Sequence, residues 1–314
     1  MLKTFAAIVA AAGFACAAAP ASTPTPLIAP GVSISGVRVG GLSAEPARAR
    51  IEHVFSRAIT IRTPDGVARV SPDQVGARSS IAIAVTSALA ATPGSAIKLP
   101  TKVSSERIDA VVSKLAHRYD YAPVDTTLTG ADGEGPIFTA PKAGRAVDTK
   151  TMRVALGQAL RSSGRQQLLL LTHPVPAKKT VANFGPVIVI SRGANRLTLY
   201  DGANAVRTFR VATGQAIYPT PAGLWHIMDM QRNPWWYPPT NDDWAKGLKP
   251  VPPGPSNPLG TRWMGLNAPG VGIHGTDAPA SIGYSASHGC VRMQVPEAEW
   301  LFEHVSVGTP VVIL

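Results

Sequence analysis

The feature that most constrains the fold of this chain is a change of sequence pattern near residue 184. From there on, short β-branched runs at 186–191, 196–200 and 205–212 are separated by turn sequences that contain glycine and asparagine. Short strands joined by such turns are typical of an antiparallel meander. The C-terminal residues form a further β-branched run. The sequence therefore predicts a mostly β, β-sandwich-like domain over residues 184–314.

The region before this change has a mixed pattern. Apolar residues at helical spacing predict helices over 43–57, over 104–119 and after Asp148. Short β-branched runs lie between these helices. We therefore expect an α+β domain over residues 31–176, followed by a polar and basic hinge over residues 177–183.

The first residues have the pattern of a cleavable export signal. Residues 1–20 combine Lys3 with an apolar run and small-residue cleavage options, and the run is short for crossing a bilayer. A Pro/Thr/Ala segment over 21–30 shows no periodicity and predicts a disordered linker. We expect an exported protein of the periplasm or cell wall, and lipidation of Cys16 stays an open alternative.

The charge of the chain predicts an anionic partner. The 314 residues carry a formal net charge of +11. Nucleic acid is disfavoured because the chain has no block of Lys and Arg and begins with an export signal. An acidic polymer outside the cytoplasm, such as a bacterial cell wall, fits the charge better.

Removal of the signal would leave Cys290 as the one thiol of the mature protein. Cysteines in an oxidising compartment usually pair, so a lone thiol between Gly289 and Val291 favours chemistry at sulfur over packing. A thiolate that attacks a carbonyl needs a base. His274 is the preferred base, because a loop and a returning strand can bring it to the thiol. His288 is assigned to orientation or to the oxyanion site.

Several neighbours of Cys290 are candidates for charge stabilisation or substrate binding. Gly289 has no side chain to obstruct a carbonyl oxygen, so the N–H groups of Gly289 and Cys290 are predicted oxyanion donors. Arg292 is positioned to bind a substrate carboxylate or to favour the thiolate, and a structural ion pair is the open alternative. An aromatic loop over 231–258 is expected to cover the site. The remaining candidates for substrate contact are Ser287, Tyr284 and Trp236.

Other chemistries fit the spacing less well. His274, His288 and Cys290 offer three zinc ligands, and no fourth ligand stands at a recognisable spacing. A papain-like order needs a histidine far after the cysteine, and only His304 follows. Residues 95–98 match the S-x-x-K motif of serine acyltransferases but lack its companion motifs. We expect neither a metal nor a cofactor.

The same residues resemble the signature of a known family. The run His274-Gly275-Thr276, followed by S-H-G-C-V-R-M over 287–293, is similar to the catalytic motif of the L,D-transpeptidases, the YkuD-like family. Further matches lie at 220–225 and 257–260, so the likeness covers the predicted β domain. The preceding region, through 36–43 and 142–148, looks like the peptidoglycan-binding domain often joined to this catalytic domain.

The resemblance implies an acyltransferase of cell-wall synthesis and cell shape. In the family, a cysteine takes an acyl group from a peptidoglycan stem peptide as a thioester and passes it to an amine. These roles map onto Cys290, with His274 as the base and His288 beside it. The carbonyl of Gly275 is implied as the group that orients the base, and Arg292 stands where some members carry asparagine. Inhibition by carbapenem-type lactams is also implied. The alternatives are an L,D-carboxypeptidase with the same site and a wall-binding protein.

Overall fold

The computed structural model describes residues 25–240 and 242–314. The predicted export signal over residues 1–20, and residues 21–24 of the predicted linker, lie outside the described residues. Within the described ranges, each helix is too short or too polar to cross a membrane.

The helices and strands alternate in the first half of the chain, whereas strands dominate the second half. Up to Val175 the elements are β1 (Ser33–Ile34), β2 (Val37–Arg38), α1 (Ala44–Ser56), β3 (Ile59–Thr63), β4 (Gly66–Val70), β5 (Arg78–Ser79), α2 (Ile81–Leu89), β6 (Ala96–Ile97), β7 (Thr101–Lys102), α3 (Ser105–Tyr119), β8 (Leu128–Ala131), β9 (Pro136–Phe138), β10 (Gly144–Val147), α4 (Thr149–Arg161), β11 (Leu168–Leu169) and β12 (Thr172–Val175). After it they are β13 (Pro186–Ser191), β14 (Arg196–Asp201), β15 (Asn204–Arg210), β16 (Thr213–Gly214), β17 (Gly223–Arg232), β18 (Arg262–Leu266), β19 (Gly272–Gly275), β20 (Ser285–Ser287), β21 (Val291–Met293), α5 (Val295–Phe302) and β22 (Pro310–Ile313). The predicted fold class, α+β followed by mostly β, is confirmed.

The chain forms two compact units, and their boundaries differ from the predicted hinge. Unit 1 comprises the described residues up to Arg118 together with Val147–Leu171. Unit 2 comprises Tyr119–Ala146 and Thr172–Leu314. The chain therefore leaves unit 1 after Arg118 and contributes Tyr119–Ala146 to unit 2. It then returns to unit 1 for Val147–Leu171, and the remaining residues belong to unit 2.

The segment predicted as a hinge, 177–183, lies within unit 2 and is held there by hydrogen bonds. The N–H groups of Lys178 and Lys179 donate to the Asp125 carboxylate at 2.7 and 2.9 Å. Directly after them, a 3-10 turn at Val181–Asn183 is closed at its start by a capping box. The polar and basic composition predicted a hinge, but the N–H groups of Lys178 and Lys179 are bonded to Asp125 and the following turn is capped.

Unit 1 packs its helices on small sheets around an aliphatic core. Helix α1 buries Ala47, Ile51 and Phe55, which share one helical face. Ile28 belongs to the same core, and its backbone bonds to Leu42 at 2.9 Å. The prediction of a disordered linker is therefore wrong for the described end of 21–30. Ile28 has no periodic apolar neighbours in the sequence, yet it is buried in the core of unit 1.

A buried arginine joins the ends of two helices in unit 1. The Arg165 guanidinium donates to the carbonyls of Phe55 at 2.5 Å and Val54 at 3.5 Å, at the end of α1. It also donates to Ala159 and Leu160 in the last turn of α4, at 3.3 and 3.2 Å. Carbonyls of a last turn have no partner within their own helix. Arg165 therefore caps the C-terminal ends of both helices. Burial lowers the pKa of its guanidinium from the ordinary value.

Unit 2 is built on an eight-stranded sheet with the order β15-β14-β13-β22-β17-β18-β19-β21. The predicted meander forms its first three strands, and the C-terminal strand β22 inserts parallel to β13. Helix α5 packs on β18 and β19. The inward side chains of these elements form one aliphatic core.

The far edge of this sheet positions the predicted catalytic residues. Strands β19 and β21 pair in parallel, and His274 lies opposite Arg292 in their register. Cys290 directly precedes β21. The parallel pairing of β19 and β21 therefore brings Cys290 next to the strand that carries His274.

Candidate active site

Cys290 lies in a cavity of about 960 Å³ in unit 2. His274, His288 and Arg292 also line the cavity, so the structure brings the three predicted polar side chains into the same cavity as the thiol. Residues of the predicted aromatic loop line the same cavity, namely Trp235, Trp236, Tyr237, Trp244 and Leu248. The loop therefore covers the site, as its composition predicts.

The hydrogen bond of His274 fixes which ring nitrogen can act as a base. Nδ1 lies 2.5 Å from the Gly275 carbonyl oxygen. Because a carbonyl only accepts, Nδ1 carries the proton and Nε2 keeps its lone pair. Burial lowers the pKa of His274 to about 4, with the Gly275 hydrogen bond opposing and the charge of Arg292 adding to the shift. His274 is therefore neutral at pH 7, as a general base must be.

The Cys290 thiol is protonated in this environment. Burial raises its pKa, while the Gly272 N–H and the Arg292 charge act in the opposite direction. The sulfur lies 3.5 Å from the carbonyl oxygen of Gly270, to which the thiol donates. A neutral thiol at this position depends on a base for activation as a nucleophile.

The turn that carries Cys290 is closed by two hydroxyl side chains. Ser287 Oγ donates to the Cys290 carbonyl at 2.5 Å and accepts from the Gly289 N–H at 3.2 Å. Thr220 Oγ1 donates to the Gly289 carbonyl at 2.8 Å. Gly289 has a φ of 111°, which favours glycine over any residue with a side chain.

These bonds bear on two of the sequence predictions. The Gly289 N–H is engaged by Ser287, so the predicted oxyanion donor on Gly289 is already occupied and the Cys290 N–H is the remaining candidate. Ser287 is buried, its Oγ is bonded within the turn, and it also lines the cavity, so its predicted substrate contact stays a prediction beside this structural role. Thr220 lies in the segment 220–225, which resembles the family but for which the sequence predicted no role.

His288 lies between two aromatic rings that the sequence did not assign to it. It stacks on Trp244 with ring centroids 4.0 Å apart and an interplanar angle of 11°. Tyr218 lies on it at 5.1 Å in a tilted arrangement. Burial and the charge of Arg292 lower the pKa of His288, and Asp242 opposes them. The ring is therefore held by stacking, and its predicted role in orientation or at the oxyanion site stays a prediction.

Trp263 is a further site residue that sequence reasoning missed. Its indole lies across β19, where a Cβ on Gly272 would overlap the ring. The ring centroid is 5.8 Å from that of His274. A glycine inside a strand is a signal of such a close approach. Gly272 thus makes room for the indole that flanks the base.

The matched segment 257–260 connects the aromatic loop to the strand of the base. The buried Asn257 donates through Nδ2 to the carbonyls of Pro234 and Pro252 at 2.9 and 3.1 Å. Gly260 has a φ of 61°, and a Cβ there would lie 3.0 Å from backbone carbons of Gly275. The segment therefore supports the residue whose carbonyl orients His274.

The remaining predicted substrate residues fall into two groups. Trp236 and Arg292 line the cavity, whereas the exposed Tyr284 does not belong to its lining. Tyr284 follows a 3-10 turn, and its backbone is bound to Ser281 and Thr213 outside the cavity. Among residues 25–240 and 242–314, no carboxylate forms an ion pair with Arg292, so the structural alternative for this residue lacks a partner. In the same part of the chain, no three His, Cys, Asp or Glu side chains are grouped to hold a metal ion.

Comparison with known proteins agrees with this site. The family model of the L,D-transpeptidase catalytic domain, YkuD, matches residues 185–313. The YkuD protein of Bacillus licheniformis, assigned to the L,D-transpeptidases, is 30% identical over 169 residues, which cover 54% of this chain and 90% of that protein. The chain belongs to the L,D-transpeptidase family. The predicted family is therefore confirmed.

Two further proteins show the extent of the likeness. YkuD of Bacillus subtilis strain 168 is 34% identical over 126 residues, which cover 40% of this chain and 64% of that relative. The solved catalytic domain of the Enterococcus faecium L,D-transpeptidase acylated by ertapenem is 26% identical and has a TM-score of 0.34; the match covers 41% of this chain and 97% of that domain. Both matches cover less than half of this chain, and the chain spans just under two thirds of the Bacillus subtilis relative.

Proposed function

We propose that this protein transfers an acyl group from a peptidoglycan stem peptide to an amine, through a thioester on Cys290. The observation that carries the proposal is the pairing of a protonated thiol with a neutral imidazole in one cavity. His274 holds its Nδ1 proton on the Gly275 carbonyl, which leaves Nε2 free to accept the thiol proton.

The first half of the reaction forms the thioester. Nε2 of His274 takes the proton as the sulfur of Cys290 attacks the carbonyl carbon of the stem peptide. The carbon–nitrogen bond then breaks, and the departing amine takes the proton from His274. The Cys290 N–H is the candidate donor to the oxygen that becomes negative during the attack.

The second half of the reaction releases the acyl group. An amine of a second stem attacks the thioester and gives its proton to Nε2 of His274, while the carbon–sulfur bond breaks and the sulfur regains a proton. Arg292 lies in the cavity, has no acidic partner among the described residues, and is suited to hold a carboxylate of the stem peptide. It also lowers the pKa of the Cys290 thiol, which favours the attacking form.

Mass spectrometry of muropeptides incubated with the purified chain tests this proposal. We expect cross-linked or amine-exchanged products with the wild type and none with Cys290→Ala. His274→Gln should be nearly inactive, whereas His304→Gln, an exposed histidine outside the cavity, should behave as the wild type. Shortened stems without any cross-link would indicate a carboxypeptidase, and turnover by Cys290→Ala would exclude the thioester.

The proposal also covers inhibition of the enzyme and its localisation. A carbapenem-type lactam offers a strained carbonyl to the same thiol, so we propose that it inhibits by forming a lasting thioester on Cys290, visible as a mass increase of the intact protein. We also propose that the protein is exported to the periplasm or cell wall, in line with the signal pattern over residues 1–20.

Unit 1 is proposed to add affinity for the wall. The excess of Lys and Arg over Asp and Glu lies almost wholly in unit 1, while the two charges nearly balance in unit 2. Arg62 and Arg69 are exposed on its sheet. Full-length protein carrying Arg62→Glu and Arg69→Glu should co-sediment less with insoluble peptidoglycan at low salt, where attraction between opposite charges is strongest. Unchanged binding would leave unit 1 as a spacer.

A further inference from the structure

Two aromatic side chains of the covering loop remain exposed inside the cavity of Cys290. Trp235 is 50% exposed and Tyr237 is 67% exposed, and both line the cavity. Their rings are stacked, with centroids 6.2 Å apart and an interplanar angle of 24°. Large apolar surfaces that a protein leaves open beside a site are typical of ligand contact.

The backbone around this aromatic pair is fixed on both sides. Before it, the Asn233 N–H donates to the Thr261 carbonyl at 2.8 Å, and the Pro234 carbonyl accepts from Asn257 at 2.9 Å. Between the two aromatics, Trp236 exchanges two backbone hydrogen bonds of 2.9 Å with Val251. The pair is thus held in place without a ligand, so that little ordering is needed when one binds.

Two polar side chains on β17 line the same cavity. Gln231 donates through Nε2 to Oδ2 of Asp229 at 2.7 Å. This bond leaves Asp229 Oδ1, Gln231 Oε1 and the second Nε2 proton for a ligand. A cavity with exposed ring faces and a nearby carboxylate and amide suits a sugar, whose C–H faces pack on aromatics and whose hydroxyl and acetamido groups form hydrogen bonds.

We propose that Trp235 and Tyr237, with Asp229 and Gln231, form a subsite for an N-acetylated sugar ring of the glycan strand. The inference rests on the proposed function, because the sugar is the one to which the reacting stem peptide is attached. A cavity of about 960 Å³ lies at the upper end of small-ligand sites, so it has room for a sugar beside the reacting peptide segment. The subsite lets the enzyme distinguish stems on glycan from free peptides.

Steady-state kinetics with two donors test the subsite in the full chain. One donor is the free tetrapeptide, and the other is the same peptide attached to an N-acetylglucosaminyl-N-acetylmuramic acid disaccharide. The wild type should have a lower KM for the second donor. Trp235→Ala and Tyr237→Ala should remove this preference, with a rise in KM of about tenfold for the disaccharide donor and a much smaller rise for the free tetrapeptide.

Conservative and distant variants complete the design. Trp235→Phe keeps an aromatic face and should retain most of the preference. Val206→Ala removes an apolar side chain that is 50% exposed on β15, outside the cavity, and should match the wild type with both donors. Equal KM values for the two donors in the wild type, or equal losses for both in Trp235→Ala, would overturn the subsite.

A binding measurement separates this inference from the proposed function. The free disaccharide is titrated into full-length Cys290→Ala protein while tryptophan fluorescence is recorded, so that no turnover is involved. We expect saturable binding that Trp235→Ala weakens by about tenfold. If the disaccharide does not bind, the subsite is wrong even where the transfer reaction is observed; if it binds but neither donor is consumed, the subsite stands and the proposed function fails.

Discussion

Lowering the pH from 7 to 5 should reduce the free energy of unfolding of unit 2 by about 2 kcal/mol through His274 alone. Burial holds the pKa of this histidine at about 4, whereas the ordinary value is 6.5. Between these two values the unfolded chain binds a proton that the folded chain does not. The folded state is therefore favoured fully above the ordinary pKa and loses stability as the pH falls. The full difference in pKa corresponds to about 3 kcal/mol and is approached only as the pH falls below 4.

Tryptophan fluorescence during urea unfolding is a suitable assay, because all six tryptophans lie in unit 2. The wild type and His274→Gln are compared at pH 7 and pH 5, so that changes in the other titrating groups cancel. The acid loss should be smaller by about 2 kcal/mol in His274→Gln. His226→Gln, an exposed histidine on β17, should lose as much as the wild type. Equal acid losses in His274→Gln and the wild type would refute the neutral buried base.

Three further substitutions test packing and hydrogen bonds that stabilise the two units. Gly272→Ala places a Cβ against the Trp263 indole and should destabilise unit 2 by about 1–3 kcal/mol in the same urea assay. Thr220→Val leaves the buried Gly289 carbonyl without its donor, at a loss of about 1–3 kcal/mol, and Thr220→Ser should restore most of it. Arg165→Met removes the donor to both helix ends in unit 1 and should cost about 3 kcal/mol or more, measured by amide hydrogen exchange of α1 and α4, with Arg165→Lys intermediate. Wild-type exchange in Arg165→Met would show that the two helices do not depend on it.

Regular periodicity accounts for the parts of the fold that the sequence predicts. Helix α1 and helix α3 form where apolar residues recur at helical spacing, and the β13 to β15 meander forms where turn residues separate β-branched runs. Strands β18, β19 and β21 are missed because they are short, and the first two contain glycine. Their glycines are explained by tertiary contacts, such as the Trp263 indole over Gly272, which no local pattern shows.

The residues of the candidate site also differ in whether the sequence alone can predict them. Cys290 and His274 are predicted from chemistry, since a lone thiol needs a base and their separation permits a returning strand. The use of Ser287 in the turn is not predictable from its identity, because a hydroxyl can contact either substrate or backbone until the turn is known. Trp244 is missed for a related reason: its stack on His288 depends on how the long loop folds back.

The interrupted path of the chain sets an order for folding during synthesis. Strand β3 of unit 1 pairs with β11, which emerges from the ribosome much later, after the segment Tyr119–Ala146 has passed. The β8–β9 hairpin in that segment is therefore made before most of unit 2 exists. Unit 1 can therefore fold first, while the hairpin stays without its neighbours until β17 has been synthesised. A chaperone that shields this hairpin would act at that interval, and a chain stalled soon after β11 would display it to the solvent.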